Sequence, residues 1–143
     1  MDTKPVKTTR SFQANKNNLH DMLSMVRMAA QDAGLEEKQI KGLELATEEA
    51  IVNIIYHAYE KRKGLVHIEV QYEKGKEIVV YLFDRGDQFD PHIYHLHNKP
   101  KKEIEKEGGL GIMLMHNYVD EIEYRRSDPF NCLVLRKAID SSL

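Results

Sequence analysis

The sequence predicts an α+β fold, a two-layer sandwich with two or three helices on one face of a mostly antiparallel sheet. Three observations predict it. Two segments in the first half repeat apolar residues every three or four positions, which is helical spacing. From Leu65 to Phe83 the pattern changes to alternation around a central turn, and residues 121–136 alternate again around a second turn. With 143 residues the chain is long enough for one core and too short for two ordinary domains, so residues 1–143 are expected to form a single domain.

The elements follow in order. Val6 to Ala14 carries Val6, Thr8 and Thr9, residues with β propensity, and reads as an edge strand. Asn15 to Ala33 reads as a helix, because Leu19, Met22, Leu23, Val26, Ala29, Ala30 and Ala33 share a face and Gly34 is a natural stop. A longer helix is expected from about Glu36 to Tyr59, with Ile40, Leu43, Ala46, Ala50, Ile51, Ile54, Ile55 and Ala58 on its apolar side and cations with Gly64 beyond its end. Strands at Leu65 to Tyr72 and Ile78 to Phe83, joined by Glu73-Lys74-Gly75-Lys76, make a β-hairpin. Residues 84–111 lose periodicity, and a loop of that length in a small domain is usually either functional or a sign that an element within it is hidden from the pattern. A helix over 110–118 and two strands, Glu121 to Arg126 and Asn131 to Arg136, complete the chain around the turn at Ser127-Asp128-Pro129.

Composition narrows the function classes. Hydrophobic residues are 41% and charged residues 31%, and 21 Lys plus Arg against 23 Asp plus Glu leave a net charge of -2. Such a balance offers no global attraction to nucleic acid or an anionic membrane, so neither is expected as a partner. The one cysteine, Cys132, can build neither an internal disulfide nor a cysteine zinc site and reads as core. No apolar run approaches the ~20 residues of a membrane span, and a cytoplasmic location is expected.

Three segments carry residues suited to chemistry. Glu49, Asn53 and His57 are spaced to lie along one face of the long helix. An Asn oxygen can ligate Mg²⁺ where phosphates and waters complete the octahedron, and a carboxylate one turn away can accept a hydroxyl proton. The competing reading is a polar border between the core and solvent. Asp84-Arg85-Gly86-Asp87-Gln88-Phe89-Asp90-Pro91 follows a buried strand; Asp84 can accept from an exocyclic amine and Gly86 permits close approach, or the segment is an ordinary polar turn. Gly108-Gly109-Leu110-Gly111 opens a helix, where backbone N–H groups favour phosphate. Neither a P-loop ending nor a dinucleotide fingerprint is present.

Other features read more plainly. The histidines His92, His95 and His97 sit in the aperiodic loop with nothing to fix a metal geometry. Met22, Met25 and Met28 are part core, with a face that could suit a protein partner. Lys99 to Glu107 alternates in charge, as solvated segments do.

The order of the three chemical segments resembles the asparagine box and two glycine boxes of the GHKL (Bergerat-fold) ATPases. Residues Glu48-Glu49-Ala50-Ile51-Val52-Asn53-Ile54-Ile55-Tyr56-His57-Ala58-Tyr59, the Asp84 segment and Gly108-Gly109-Leu110-Gly111-Ile112 are similar to the anti-sigma factor serine/threonine-protein kinase branch. The resemblance implies a Bergerat-type sandwich that binds ATP and Mg²⁺. It implies Asn53 as the Mg²⁺ ligand, Glu49 as general base, Asp84 on the adenine amine and Gly86 giving the ring room. Gly109, Leu110 and Gly111 would cradle phosphate, and about 91–108 would form the ATP lid. It implies a kinase that phosphorylates a serine of an anti-sigma factor antagonist of STAS type, sequesters a sigma factor and forms a homodimer. The alternative is an ATP-binding module that sequesters a partner without phosphorylating it, and Glu49 argues for the kinase. A histidine-kinase fragment is disfavoured, because no dimerisation helix with a phosphoacceptor His is seen. One departure is Asp128-Pro129-Phe130-Asn131, where many relatives have a glycine before the last strand; it is expected to alter only the turn.

Overall fold

The structure, a computed structural model, describes residues 4–60, 62–88 and 115–139. The segment of about 91–108 expected as an ATP lid, the glycines Gly108, Gly109 and Gly111 with Leu110, the His92, His95 and His97 cluster, the run from Lys99 to Glu107 and residues 110–114 of the expected 110–118 helix lie outside the described residues.

The predicted α+β sandwich is what forms. Five strands, β1 (Val6–Gln13), β2 (Leu65–Glu73), β3 (Glu77–Asp84), β4 (Glu121–Ser127) and β5 (Phe130–Ala138), build one sheet in the order β1-β2-β3-β5-β4. Every neighbouring pair is antiparallel. The weakly patterned first strand is real: its full length pairs with β2 from Val6↔Tyr72 to Gln13↔Leu65, and that pairing, rather than local propensity, holds it.

Alternation sorts the two faces. Val66, Ile68 and Val70 of β2, Ile78, Val80 and Leu82 of β3, and Leu133 and Leu135 of β5 are buried under the helices. Asp84 continues the β3 set by period two, so the last residue of that row is a carboxylate at the edge of the core. The helix-free face carries Tyr81, Phe83 and Cys132, with Phe83 paired to Cys132. Cys132 is therefore not core: it is half-buried on the outer face, and burial still pushes its thiol up to about 11.

Helix α1 (Leu19–Ala33) follows a short turn at Lys16–Asn18, where the Asn15 side chain accepts from the Asn18 N–H (3.2 Å). Met22, Val26, Ala29, Ala30 and Ala33 form its buried stripe, and Gly34 closes it at φ 96°, a conformation that costs little without a Cβ. Of the three methionines, Met22 is buried, Met25 half-buried and Met28 exposed. Helix α2 (Glu37–Asn53) starts in a capping box, in which the Gln39 side chain accepts from the Glu36 N–H (3.1 Å) and Glu36 accepts in return. The long helix expected to run to Tyr59 changes character at Asn53. Residues Ile54–Ala58 form a π turn, one extra residue wide, which shifts the phase of everything after Asn53.

Candidate functional site

The π turn and the end of β3 meet. Gly86 sits so close to the turn that an added Cβ would lie 2.6 Å from both the carbonyl carbon and oxygen of Ala58, and the Asp87 N–H donates to that same carbonyl (2.7 Å). The need for glycine at 86 is thus first a matter of packing the loop on the helix end. Tyr59 braces the junction from below: its hydroxyl donates to the Leu65 carbonyl (2.6 Å) and accepts from the Arg85 N–H (2.9 Å). Gly64 leaves room for the Tyr59 ring, which a Cβ at 64 would meet at 2.2 Å. Arg62 adds donations to the Tyr59 carbonyl (2.7 Å) and the Ala58 carbonyl (3.1 Å), and pairs with Asp87 (2.9 Å).

Between these parts lies a small cavity of about 20 Å³, lined by Ala50, Asn53, Ile54, Ala58, Asp84, Tyr124, Asn131 and Leu133. Two residues singled out from separate stretches of sequence, Asn53 and Asp84, line the same wall. Both are buried, at 3% and 4% exposure. The Asn53 Nδ2 has no hydrogen-bond partner, and a buried donor without one costs about 1–3 kcal/mol. Such an atom calls for a partner, which a water, an ion or a ligand can supply.

Asp84 is half-committed. Its Oδ1 accepts from the Gly86 N–H (2.8 Å) and from Asn131 Nδ2 (2.8 Å), and its Oδ2 accepts nothing among the described residues. Burial raises its pKa above the ordinary carboxylate range, opposed by the Asn131 and Gly86 hydrogen bonds and by the Arg126 charge. The result is a fixed carboxylate with one bare acceptor oxygen. An exocyclic amine of a flat ring supplies the donor such an oxygen needs.

Glu49 lies one helical turn before Asn53, half-buried and outside the cavity lining. Burial, and then the neighbouring Glu48 charge, hold its carboxyl above the usual range, which moves a carboxylate toward useful basicity. His57, predicted to share its face, falls within the π turn and so off the α-helical phase. Among the described residues no group of three or more His, Cys, Asp or Glu could hold a metal ion. A cation at this site would rest on the Asn53 oxygen together with oxygens of a ligand.

Sequence reasoning missed Asn131, Tyr124, Arg126 and Tyr59. The expectation that the Asp128-Pro129-Phe130-Asn131 departure alters only a turn is incomplete, because the fourth residue of that stretch is buried at 3% and bonded to Asp84. The departure itself was the signal. A wider groove lined by Gln13, Ala14, Asn15, Arg62, Lys63, Gly64 and Leu65 contains none of the residues singled out from the sequence.

The site thus sits on a five-stranded antiparallel sheet backed by helices, in a small and mainly apolar cavity that carries Asn53, Asp84, Tyr124 and Asn131 where the longest helix meets the ends of the central strands. Residues 12–137 match the family described as the histidine kinase-like ATPase domain. The chain belongs to that family, the GHKL ATPases, for which ATP binding is implied. It is 27% identical over 108 residues to an anti-sigma F factor of Clostridium kluyveri, covering 73% of this chain and 74% of that protein. It is 30% identical over 96 residues to the serine-protein kinase RsbW of Staphylococcus epidermidis, covering 63% of this chain and 60% of the kinase. Among solved structures, the RsbU and RsbW domains of Rv1364c from Mycobacterium tuberculosis superpose with a TM-score of 0.63 at 16% identity, over 94% of this chain and 32% of that one. The chain therefore spans about a third of that solved chain, and the likeness is one of fold. No helix among the described residues is long and apolar enough to cross a membrane.

Proposed function

We propose that this chain is an ATP-dependent serine protein kinase and anti-sigma factor of a partner-switching system. Its substrate is a serine on an anti-sigma factor antagonist of STAS type, and its sequestered partner is a sigma factor. The observation that carries the nucleotide part is the cavity shared by Asn53 and Asp84, in which one buried amide nitrogen lacks an acceptor and one oxygen of a buried carboxylate accepts no hydrogen bond. Distant relationship to an anti-sigma factor and to a serine-protein kinase supports the choice of reaction.

In this reading Asp84 accepts from the adenine amine, and Gly109, Leu110 and Gly111 present backbone N–H groups to phosphate. Asn53 holds Mg²⁺, which supplies charge neutralisation for phosphoryl transfer. Glu49 takes the proton of the substrate serine as its oxygen bonds to the terminal phosphorus and the bond to the ADP oxygen breaks. The residues favour ATP over a ligand without an amine, because the bare Asp84 oxygen needs a donor. The homodimer and a cytoplasmic location belong to the same proposal.

The test is transfer of label from ATP, with Mg²⁺, to the antagonist encoded nearest to this chain. Label on an antagonist serine, lost in Glu49→Ala and in Asn53→Ala, is the expected result. Normal transfer by Glu49→Ala sinks the base assignment, and ATP binding with no transfer to any antagonist favours the sequestering module without kinase activity. Absence of ATP binding by calorimetry overturns the reading altogether.

A further inference from the structure

The β4–β5 hairpin holds the segment after β3 through three side chains. Asn131 donates from Nδ2 to Asp84 Oδ1 (2.8 Å) and to the carbonyls of Gly86 (3.3 Å) and Asp87 (3.0 Å). Its Oδ1 accepts from the Tyr124 hydroxyl and from Arg126 (3.1 Å). Arg126 donates in turn to the Gly86 carbonyl (2.9 Å) and to Asp128 (2.8 Å). An amide has two N–H donors and one oxygen with two lone pairs, and here all of them are engaged. Asn131 has nothing left for a ligand. Its hydrogen bonds are spent on the orientation of Asp84.

We propose that Asn131, held by Tyr124 and Arg126, is a positioning residue that sets the base selectivity of the nucleotide site: it keeps Asp84 in the one orientation that shows a bare acceptor to a 6-amino purine. The proposal rests on the nucleotide reading above. Two donors on Oδ1 stop the carboxylate from turning. A 6-amino group brings a donor to Oδ2, whereas a 6-oxo group sets oxygen against oxygen and leaves two buried acceptors unpaired. Sites built on a hydrogen bond reject the mismatched analogue far more strongly than apolar pockets do. With Asn131 gone, Oδ1 keeps only the Gly86 N–H and the carboxyl can rotate about its broad terminal torsion. Discrimination then weakens selectively. A residue that only supported the fold would weaken both nucleotides alike.

The experiment measures Kd for ATP and for GTP, each with Mg²⁺, by calorimetry on the full chain. Wild type is expected to prefer ATP by about 100-fold or more. Asn131→Leu should narrow that ratio by about tenfold, and Tyr124→Phe, which removes one of the two donors steadying the Asn131 oxygen, by about threefold. An unchanged ratio in Asn131→Leu overturns the proposal. Should that variant show no melting transition, the Tyr124→Phe ratio decides in the same way. Wild type that binds ATP and GTP equally overturns this proposal and leaves nucleotide binding standing, while wild type that binds neither overturns the nucleotide reading and this proposal with it.

Discussion

Replacing Asp84 by Asn separates binding from stability. The Gly86 N–H and Asn131 Nδ2 both donate to Oδ1 at 2.8 Å, so an amide at position 84 must keep its oxygen there and place its NH₂ where Oδ2 now stands. The amine of adenine would then face a donor. Losing a hydrogen bond to a charged acceptor costs about 1.5–3 kcal/mol, and leaving the opposed donors buried and unpaired costs about 1–3 kcal/mol more. Together these weaken ATP by roughly 10²- to 10⁴-fold. The fold has the opposite interest. Burial raises the Asp84 pKa, so the folded state holds its proton to higher pH than the unfolded chain, and stability falls as pH rises from the ordinary carboxylate range through the raised value. Above it the ionised group is a constant cost. Asp84→Asn removes that cost and keeps both hydrogen bonds, so at pH 7 the apo variant should melt at the wild-type temperature or up to about 5 °C above it. Calorimetric titration with ATP and a thermal melt of the apo protein read the two effects. ATP affinity within threefold of wild type, or a variant that melts well below wild type, would refute the reasoning.

Two further outcomes follow from the same geometry. Gly86→Ala places a Cβ 2.6 Å from the Ala58 carbonyl and must push the loop away by about 0.8 Å or more, breaking the Asp87 N–H bond to that carbonyl; denaturant unfolding should show a loss of about 2–4 kcal/mol. Glu49 must be ionised to accept a proton, so phosphotransfer should rise with pH through its raised pKa and then level off. Removing the like charge in Glu48→Gln lowers that pKa, and the acid limb of the rate profile should move to lower pH; a limb that stays in place separates Glu49 from the proton transfer.

Much of the molecule was legible before any coordinates. Helical and alternating periods located both helices and four of the strands because each buries a regular face, and the order of the three motifs pointed to the family. Less legible was what depends on a partner distant in sequence. β1 has little pattern of its own and exists through its register with β2. The π turn at Ile54–Ala58 has no local cue, since it contains no Gly or Pro to interrupt the helix, and it is fixed by the contact with Gly86 and the braces from Tyr59 and Arg62.

The sequence by itself determined the fold class, the family and the residue types at the site, because hydrophobic period and motif order are one-dimensional properties. It named Asn53 and Asp84 as separate candidates. Only the tertiary structure decided that they share one cavity, that the Asn53 amide is left without a partner, and that a residue read as part of a turn, Asn131, aims the carboxylate. The physical reason is that hydrogen-bond completion is a property of neighbours in space. Which oxygen of Asp84 is spent and which is bare depends on β5 lying beside β3, and nothing in either strand alone records that.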